Sequence, residues 1–380
     1  MTSLRLYFPA TLAGAMLWAL IPASASGLTI QFNYDYDSSE FFDPASGQGA
    51  QARATLENAG RNFEMFTDNL EAIVPGGNNT WSAGFFSPST GSWVYEPGLV
   101  VPADTMIVYV GARNIGSLTL GMAGPGGYSS VVGSSEWGNT VKARGQSGAL
   151  ATLATDLGPW GGSISFNSSS DWNYDLSSGP ASNDENDFLS TCLHELCHVL
   201  GFGTEESWDT LINTTNNTFT GAASEALYGG PVPLADRSHW ATGTESLSGG
   251  QVQEVAMAPS LLQGTRKRLT LLDVAGLDDI GWDMPDAGDA NLDGDIDASD
   301  YITLKRNFAQ SATWTGGDFD FDGTVTLLDL AALEASFNNS PAGAPIPEPT
   351  TLFVILAASL PTLLKRRRSR AQPRGRRRRS

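Results

Sequence analysis

The strongest constraint on the fold is a ten-residue run, HELCHVLGFG, that begins at His194. His194 and His198 lie four positions apart. On an α-helix four residues turn the chain by about 400°, so both imidazoles face the same side. Gly201 and Gly203 follow, and glycine commonly ends a helix because it enters a left-handed turn without strain. The run therefore predicts a helix that presents two imidazoles together and ends near Leu200.

Two imidazoles in this arrangement are a common pair of zinc ligands, and a glutamate beside them can take a proton from a bound water. Glu195 occupies that position. The chain contains only three histidines, and His239 is the predicted third ligand because no other histidine remains. A glutamate ligand is the competing choice, from one of three residues: Glu205, Glu206 or Glu225. We therefore expect one zinc ion, with Glu195 as the general base of a hydrolase.

The net charge of the chain limits the classes of partner that it can bind. The net charge is −19, although ten of the 22 Lys and Arg residues lie between Lys365 and Arg379. The body of the chain is therefore more acidic than the total suggests. Such a surface repels nucleic acid and suits an exported, calcium-binding protein, so no nucleic-acid partner is expected. A chain of 380 residues also exceeds the size at which single cores stop growing, which indicates more than one domain.

Both ends of the chain carry patterns typical of targeting segments. Residues 1–26 contain one early charge, an apolar stretch and a final Ala23-Ser24-Ala25, which predicts a secretory signal peptide. At the other end, Pro347-Glu348-Pro349 precedes the apolar run Thr350–Leu364 and then the arginine cluster. That run is shorter than the roughly 20 residues that span a bilayer comfortably. A short buried helix and a plain membrane anchor are the respective alternatives, but both predicted signals place the body outside the cytoplasm.

Between these ends, apolar spacing predicts strands and helices in alternation. Alternating apolar residues over 28–34 predict a half-buried first strand, and spacings of three and four predict an amphipathic helix over 50–70. Buried strands are predicted at 107–110 and around Ile164 and Phe166. The second of these strands, Ser163–Asn167, is expected to pair with an extended substrate through main-chain hydrogen bonds.

The segment around the histidine run adds two further expectations. Asn183 or Asp184 is the predicted N-cap of the histidine helix, with Glu185 and Asp187 in its first turn. Cys192 and Cys197 are five residues apart, or roughly 140° around that helix, so they are not expected to bridge each other. We expect both to be small buried side chains, with zinc ligation as the alternative.

A second pattern, after residue 284, is a repeat of acidic residues in the frame of a calcium-binding loop. Oxygen-bearing side chains stand at positions 1, 3, 5, 7, 9 and 12, and glycine stands at position 6 for a sharp turn. In loop 1 the six are Asp289, Asn291, Asp293, Asp295, Asp297 and Asp300, and in loop 2 they are Asp318, Asp320, Asp322, Thr324, Thr326 and Asp329. A helix is predicted after each loop, at Tyr301–Phe308 and Leu330–Phe337. The repeat predicts two calcium ions.

The histidine run resembles that of the metzincin zinc peptidases, but with one departure. In the common metzincin pattern the third histidine falls three residues after the helix-ending glycine, where this chain has Thr204. The sequence is more similar to the leishmanolysin-like branch, in which the third histidine arrives after a long insertion. The features that match are the run from His194 to Gly201, Gly203-Thr204, Ser238-His239-Trp240, Met257 and the segment Leu269–Trp282.

That resemblance covers about residues 28–284 and carries several implications. It implies that His194, His198 and His239 bind zinc and that Met257 forms a Met-turn under the zinc site. It also implies that Leu269–Trp282 contains the closing helix of the domain.

Two further resemblances concern the C-terminal part. The two calcium loops, with aspartate at position 12 and a helix after each, resemble the dockerin type I module, which implies a cohesin partner. The alternative is a calcium-rigidified spacer. The order of Pro347-Glu348-Pro349, apolar run and arginines resembles the PEP-CTERM sorting tail of bacterial surface proteins. That tail implies membrane retention and cleavage by an exosortase.

Together these features predict an α+β protein. We expect a two-lobed metzincin-like catalytic domain, with a twisted sheet, a backing helix and an active-site helix, followed by a small all-α calcium-binding dockerin-like domain. The predicted boundaries are 1–26 for the signal peptide, 27–284 for the catalytic domain, 286–339 for the dockerin-like module, and 345–370 for the sorting signal, with a basic tail to 380.

The predicted function is that of an exported zinc endopeptidase, at the cell surface or outside the cell, acting on protein or peptide substrates. The alternative is a surface scaffold or adhesin whose protease-like domain is inactive and whose calcium module carries the function. A carbohydrate-active enzyme is a third possibility, but it draws only on the dockerin resemblance and finds no paired-carboxylate motif.

Overall fold

The structure, a computed structural model, describes residues 27–180 and 182–337. The predicted signal peptide and sorting tail lie outside the described residues. In the described part the chain is a mixed α+β protein. No helix in residues 27–180 and 182–337 is both long and apolar enough to cross a membrane.

A four-stranded sheet forms the framework of the first half of the chain. Its strands are β1 (Thr29–Asn33), β4 (Thr105–Arg113), β5 (Gly121–Pro125) and β7 (Gly161–Asn167), in the order β1-β4-β7-β5. The pairs β1–β4 and β4–β7 are parallel, whereas β5 runs antiparallel to β7 and forms the edge of the sheet. Three predicted strands are confirmed as β1, β4 and β7, and β5 was not predicted.

A second, antiparallel sheet covers one face of the first. It consists of β2 (Thr80–Phe86), β3 (Trp93–Pro97) and β6 (Gly127–Val132), in the order β3-β2-β6. Aromatic side chains fill the space between the sheets: the rings of Phe85 and Tyr109 stack 4.1 Å apart, and Trp160 contacts both. This buried cluster also includes Trp137 of helix α2 (Ser135–Ala143).

Helices α1 (Gly47–Gly60) and α3 (Phe188–Val199) pack against each other, and α3 lies on β5 and β7. They supply the predicted backing helix and the histidine helix. The predicted extent of the first helix, 50–70, was wrong, because α1 ends at Gly60 and only one 3-10 turn, Arg61–Phe63, follows.

The error in the first helix has a physical reason. Phe63 and Phe66 are fully buried, as their spacing suggested, but Phe63 ends the 3-10 turn and Phe66 lies in the irregular segment that returns to the start of β1. The carbonyl of Phe66 accepts a hydrogen bond from the N–H of Leu28. The helix-like spacing of apolar residues therefore extends beyond the end of α1, because the side chains of the segment that follows are also buried in the core.

The N-terminus of α3 also differs from prediction. Its N-cap is Asp187, not Asn183 or Asp184, and the Asp187 side chain accepts the N–H of Ser190 at 2.8 Å. Strand β9 (Asn186–Asp187) pairs with β8 (Trp172–Asn173), which keeps the backbone extended up to the cap. The helix therefore begins directly after this short strand.

Short elements follow α3 up to residue 282. They are α4 (Glu206–Thr210), β10 (Ile212–Asn213), β11 (Thr218–Phe219), α5 (Ala222–Tyr228), β12 (Val232–Pro233), the hairpin β13 (Glu245–Ser248) and β14 (Gln251–Glu254), and α6 (Leu271–Asp279). Helix α6 lies in the segment predicted to contain the closing helix.

The calcium-loop repeats carry α7 (Ala298–Asn307) and α8 (Leu327–Phe337), joined by a 3-10 turn at Trp314–Gly316. Both helices begin three residues earlier than predicted. Asp297 N-caps α7 in a reciprocal capping box with Asp300. The helix therefore starts inside the loop, and the position-12 carboxylate lies in its first turn.

Candidate metal centre

The second and third predicted ligands are brought together by a close backbone contact after α3. Gly201 and Gly203 have φ values of 103° and 73°, in the left-handed region that favours glycine. A Cβ on Gly203 would lie 2.5 Å from the Cα of Ser238, and the Ser238 hydroxyl donates to the Gly203 carbonyl. Glycine at position 203 therefore allows the segment that carries His239 to lie against the end of α3.

The three histidines converge at one point. The Nε2 atom of His198 lies 3.2 Å from the Nε2 of His194 and 3.2 Å from the Nε2 of His239. Each Nδ1 faces an oxygen that can only accept. The Nδ1 of His194 lies 2.9 Å from the carbonyl of Ala256, and the Nδ1 of His198 lies 2.8 Å from the carbonyl of Phe202. The Asp236 carboxylate is the acceptor for His239.

These acceptors determine the protonation of the rings. A neutral imidazole carries one N–H, and an acceptor at Nδ1 places that N–H on Nδ1, so a neutral ring in this site presents the Nε2 lone pair. Burial lowers the pKa of His194 well below its ordinary value and that of His198 to about 4, which keeps both rings neutral. Lone pairs 3.2 Å apart repel each other unless a cation lies between them.

The donor set fits zinc. Imidazole nitrogens at about 2.0–2.1 Å from a tetrahedral zinc lie about 3.3 Å from each other, close to the separations in this site. Among the described residues, the group of potential ligands here contains the three histidines and no glutamate. Cys192 and Cys197 are buried, unbridged and not part of the group, and burial raises the pKa of both thiols. The expectation that they do not bridge is confirmed.

A buried carboxylate holds the loop that orients His194. Asp273 accepts the N–H groups of Ala256 and Met257 at 2.9 and 3.1 Å, and it forms a capping box with Thr270 at the start of α6. Ala256 in turn accepts from His194 through its carbonyl. Sequence reasoning singled out Met257 but missed Asp273, although a threonine followed three residues later by an acidic residue is the pattern of a capping box.

Met257 itself is fully buried. Its carbonyl accepts the N–H of Trp240, the residue after His239. The loop at Ala256–Met257 is therefore bonded to the segments of two of the three histidines.

The convergence point opens into a cleft of about 650 Å³ that is lined by all three histidines and Glu195. One wall is the segment from Ser117 to Ala123, which includes the start of β5, and another is the loop from Ala258 to Leu261. Glu195 is only 5% exposed, and burial raises its pKa to about 8. Because the cleft contains a buried carboxylate beside three converging imidazoles, it offers a candidate metal site next to a candidate proton acceptor.

The predicted substrate-pairing strand was wrong. Ser163–Asn167 lies in β7, which is bonded to β4 on one side and β5 on the other, so its main-chain groups are already paired. The strand that borders the cleft is β5, the edge of the sheet.

The second calcium loop has the features of a cation site. Asp318, Asp320 and Asp322 offer carboxylate oxygens within 4.8 Å of one another. The Oδ1 of Asp318 and the Oδ2 of Asp320 are buried without a hydrogen-bond partner. Burial, and then the charges of Asp329 and Asp322, raise the pKa of Asp318 to about 8. Calcium, which prefers carboxylate oxygens, fits these unpaired atoms.

The two loops share one hydrogen-bond frame. The position-12 carboxylates Asp300 and Asp329 each accept the N–H groups of loop positions 2, 3 and 9. In residues 27–180 and 182–337, loop 2 gathers three carboxylates within 4.8 Å and loop 1 does not.

A comparison with known protein families matches the segment that contains the two calcium loops. The dockerin type I domain family matches residues 287–338. This part of the chain is therefore a dockerin domain, a calcium-binding module that is typical of extracellular and cell-surface proteins. No curated protein and no solved structure matches the chain.

Proposed function

We propose that the protein is an exported zinc-dependent endopeptidase. The observation that carries this proposal is the convergence of three imidazole Nε2 atoms beside the buried Glu195, in an open cleft bordered by a sheet edge. An inactive scaffold would have no chemical reason to keep these groups together. The alternative, a scaffold or adhesin that acts through its calcium module, predicts no turnover.

In this proposal His194, His198 and His239 hold the metal and leave a fourth position open to the cleft. When bound, zinc would acidify a water and polarise the carbonyl of the scissile peptide bond. Glu195 takes the proton of the attacking water on its carboxylate and delivers it to the leaving nitrogen. The burial of Glu195 raises its pKa, which makes its carboxylate a stronger base for the first of these transfers.

The edge of the sheet supplies a way to hold the substrate. A peptide that adds to β5 as a further strand would be bound through main-chain hydrogen bonds and pass along the cleft. Such binding depends little on side chains, so it fits an endopeptidase acting on extended polypeptides.

The role of Glu195 leads to a first prediction. Glu195→Gln keeps the shape of the side chain but removes its ability to take a proton. We expect the variant to bind one zinc per chain and to lose at least a hundredfold in casein cleavage, since general-base catalysis contributes about 10²–10⁴-fold. Metal analysis and a casein assay on the same preparation provide the measurement. Casein cleavage by Glu195→Gln at the wild-type rate would contradict the role of Glu195 as general base.

The contact between β5 and Glu195 leads to a second prediction. A Cβ at Gly121 would lie 2.4 Å from the Glu195 Oε1, whereas a Cβ at Gly124 on the same strand meets nothing within 4 Å. We expect Gly121→Ala to displace the carboxylate and reduce kcat about tenfold or more without loss of zinc, since small misplacements at a reacting centre are costly. Gly124→Ala is the matched control, because it adds the same methyl group to the same strand away from Glu195, and it should reduce kcat much less. Equal activity of the two variants would contradict the placement of Glu195.

The dockerin match supports a second component of the function. We propose that the module attaches the protein to a cohesin-type partner, while a calcium-rigidified spacer is the alternative. Processing of the predicted sorting tail by an exosortase belongs to the same proposal. Calorimetric titration of the full chain with purified cohesin domains, in calcium and in calcium-free buffer, separates the two roles. Binding that needs calcium supports attachment, and its absence across the domains tested supports the spacer.

A further inference from the structure

The second calcium loop contacts the histidine-bearing part of the same chain through the tip of the β13–β14 hairpin. The N–H of Gly249 donates to the carbonyl of Asp320 at 2.9 Å, and the hydroxyl of Ser248 donates to the carbonyl of Phe321 at 3.3 Å. A Cβ on Gly249 would lie 2.2 Å from the Cβ of Asp322. The hairpin tip therefore lies directly against the backbone between the calcium-ligand positions.

A second contact comes from Arg268. Its guanidinium lies over Gly323, the position-6 glycine of loop 2, where a Cβ would be 2.1 Å from Nη1. Asp318 and Asp322 are close enough to act on the charge of Arg268. Gln253 of β14 bonds the main chain of Arg268, so the hairpin and this arginine approach the loop as one unit.

Both contacts lie a short distance along the chain from the histidine site. Strand β14 ends at Glu254, two residues before Ala256, whose carbonyl orients His194. Arg268 is followed within five residues by Asp273, which bonds Ala256 and Met257. The same short segments therefore carry the contacts with loop 2 and the groups that position a histidine.

We propose that loop 2 of the dockerin module is a docking surface for the β13–β14 hairpin and Arg268, and that calcium in this loop and zinc at the histidines stabilise each other. The proposal rests on the zinc site of the proposed function. Without calcium, the buried Oδ1 of Asp318 and Oδ2 of Asp320 have no partner, and the cost of leaving them unpaired disfavours the loop shape that the hairpin tip contacts. With calcium, the ordered loop holds the hairpin and, through it, the loop at Ala256–Met257.

The proposal gives loop 2 a role that loop 1 does not share. The hairpin contacts described above involve loop 2. In loop 1, Leu292 instead lies near Gly27, at the N-terminal end of the described residues. Coupling between two ligands is reciprocal, so each metal must raise the affinity for the other by the same factor.

The test measures the zinc dissociation constant of the full chain by competition with a zinc-selective fluorescent chelator. It is performed in metal-free buffer with and without saturating calcium, and with magnesium as a control for ionic effects. We expect calcium to lower the zinc dissociation constant about tenfold and magnesium to have little effect. The wild-type comparison needs no variant, and calorimetry of calcium binding with and without zinc measures the reciprocal factor.

Two glycine variants test whether the coupling between calcium and zinc passes through the β13–β14 hairpin. Gly249→Ala introduces a Cβ that collides with loop 2, and it should bring the calcium effect on zinc affinity close to onefold. Gly243→Ala is the matched control, because Gly243 also has a positive φ of 80° but a Cβ there meets nothing within 4 Å. It should retain the tenfold effect.

The possible outcomes separate the two proposals. Zinc binding with the same constant in the presence and absence of calcium overturns the coupling and leaves the zinc site standing. No zinc binding under any condition overturns both. Coupling that persists in Gly249→Ala overturns the route through the hairpin.

Discussion

The candidate metal centre depends on where its three imidazole rings carry their protons. Each Nδ1 faces an oxygen that only accepts, so each ring, when neutral, directs its Nε2 lone pair at the same point. The two Nε2 separations of 3.2 Å match those around a tetrahedral ion. The surrounding backbone fixes the rings, and a cation relieves the repulsion that this arrangement creates.

Other parts of the fold serve this convergence through long-range contacts. Gly203 lets the His239 segment lie against α3, and Asp273 holds the carbonyl that orients His194. Asp187 caps α3 and forms an ion pair with Arg266, which ties the start of the histidine helix to the chain that leads into α6. The ligands therefore come from segments that are distant in sequence but joined by buried polar contacts.

The sequence predicted the features that local spacing determines. These features are the histidine helix, its glycine end and the frame of both calcium loops. Each follows from residues a few positions apart, so it could be predicted from the sequence. Strand β5, the role of Asp273 and the contact of Gly203 with Ser238 could not, because each depends on segments that meet only in the folded chain. Helix ends were the weakest predictions: apolar spacing continued past α1, and a buried capping carboxylate, Asp187, lay beyond the predicted cap.

X-ray absorption at the zinc edge of the full chain, beside a His239→Ala variant, tests the central claim most directly. The account predicts one zinc per chain, with three imidazole nitrogens and one further light atom at about 2.0–2.1 Å, and the loss of one imidazole in the variant. A chain that binds no zinc, or a coordination sphere that is unchanged in the variant, would contradict it.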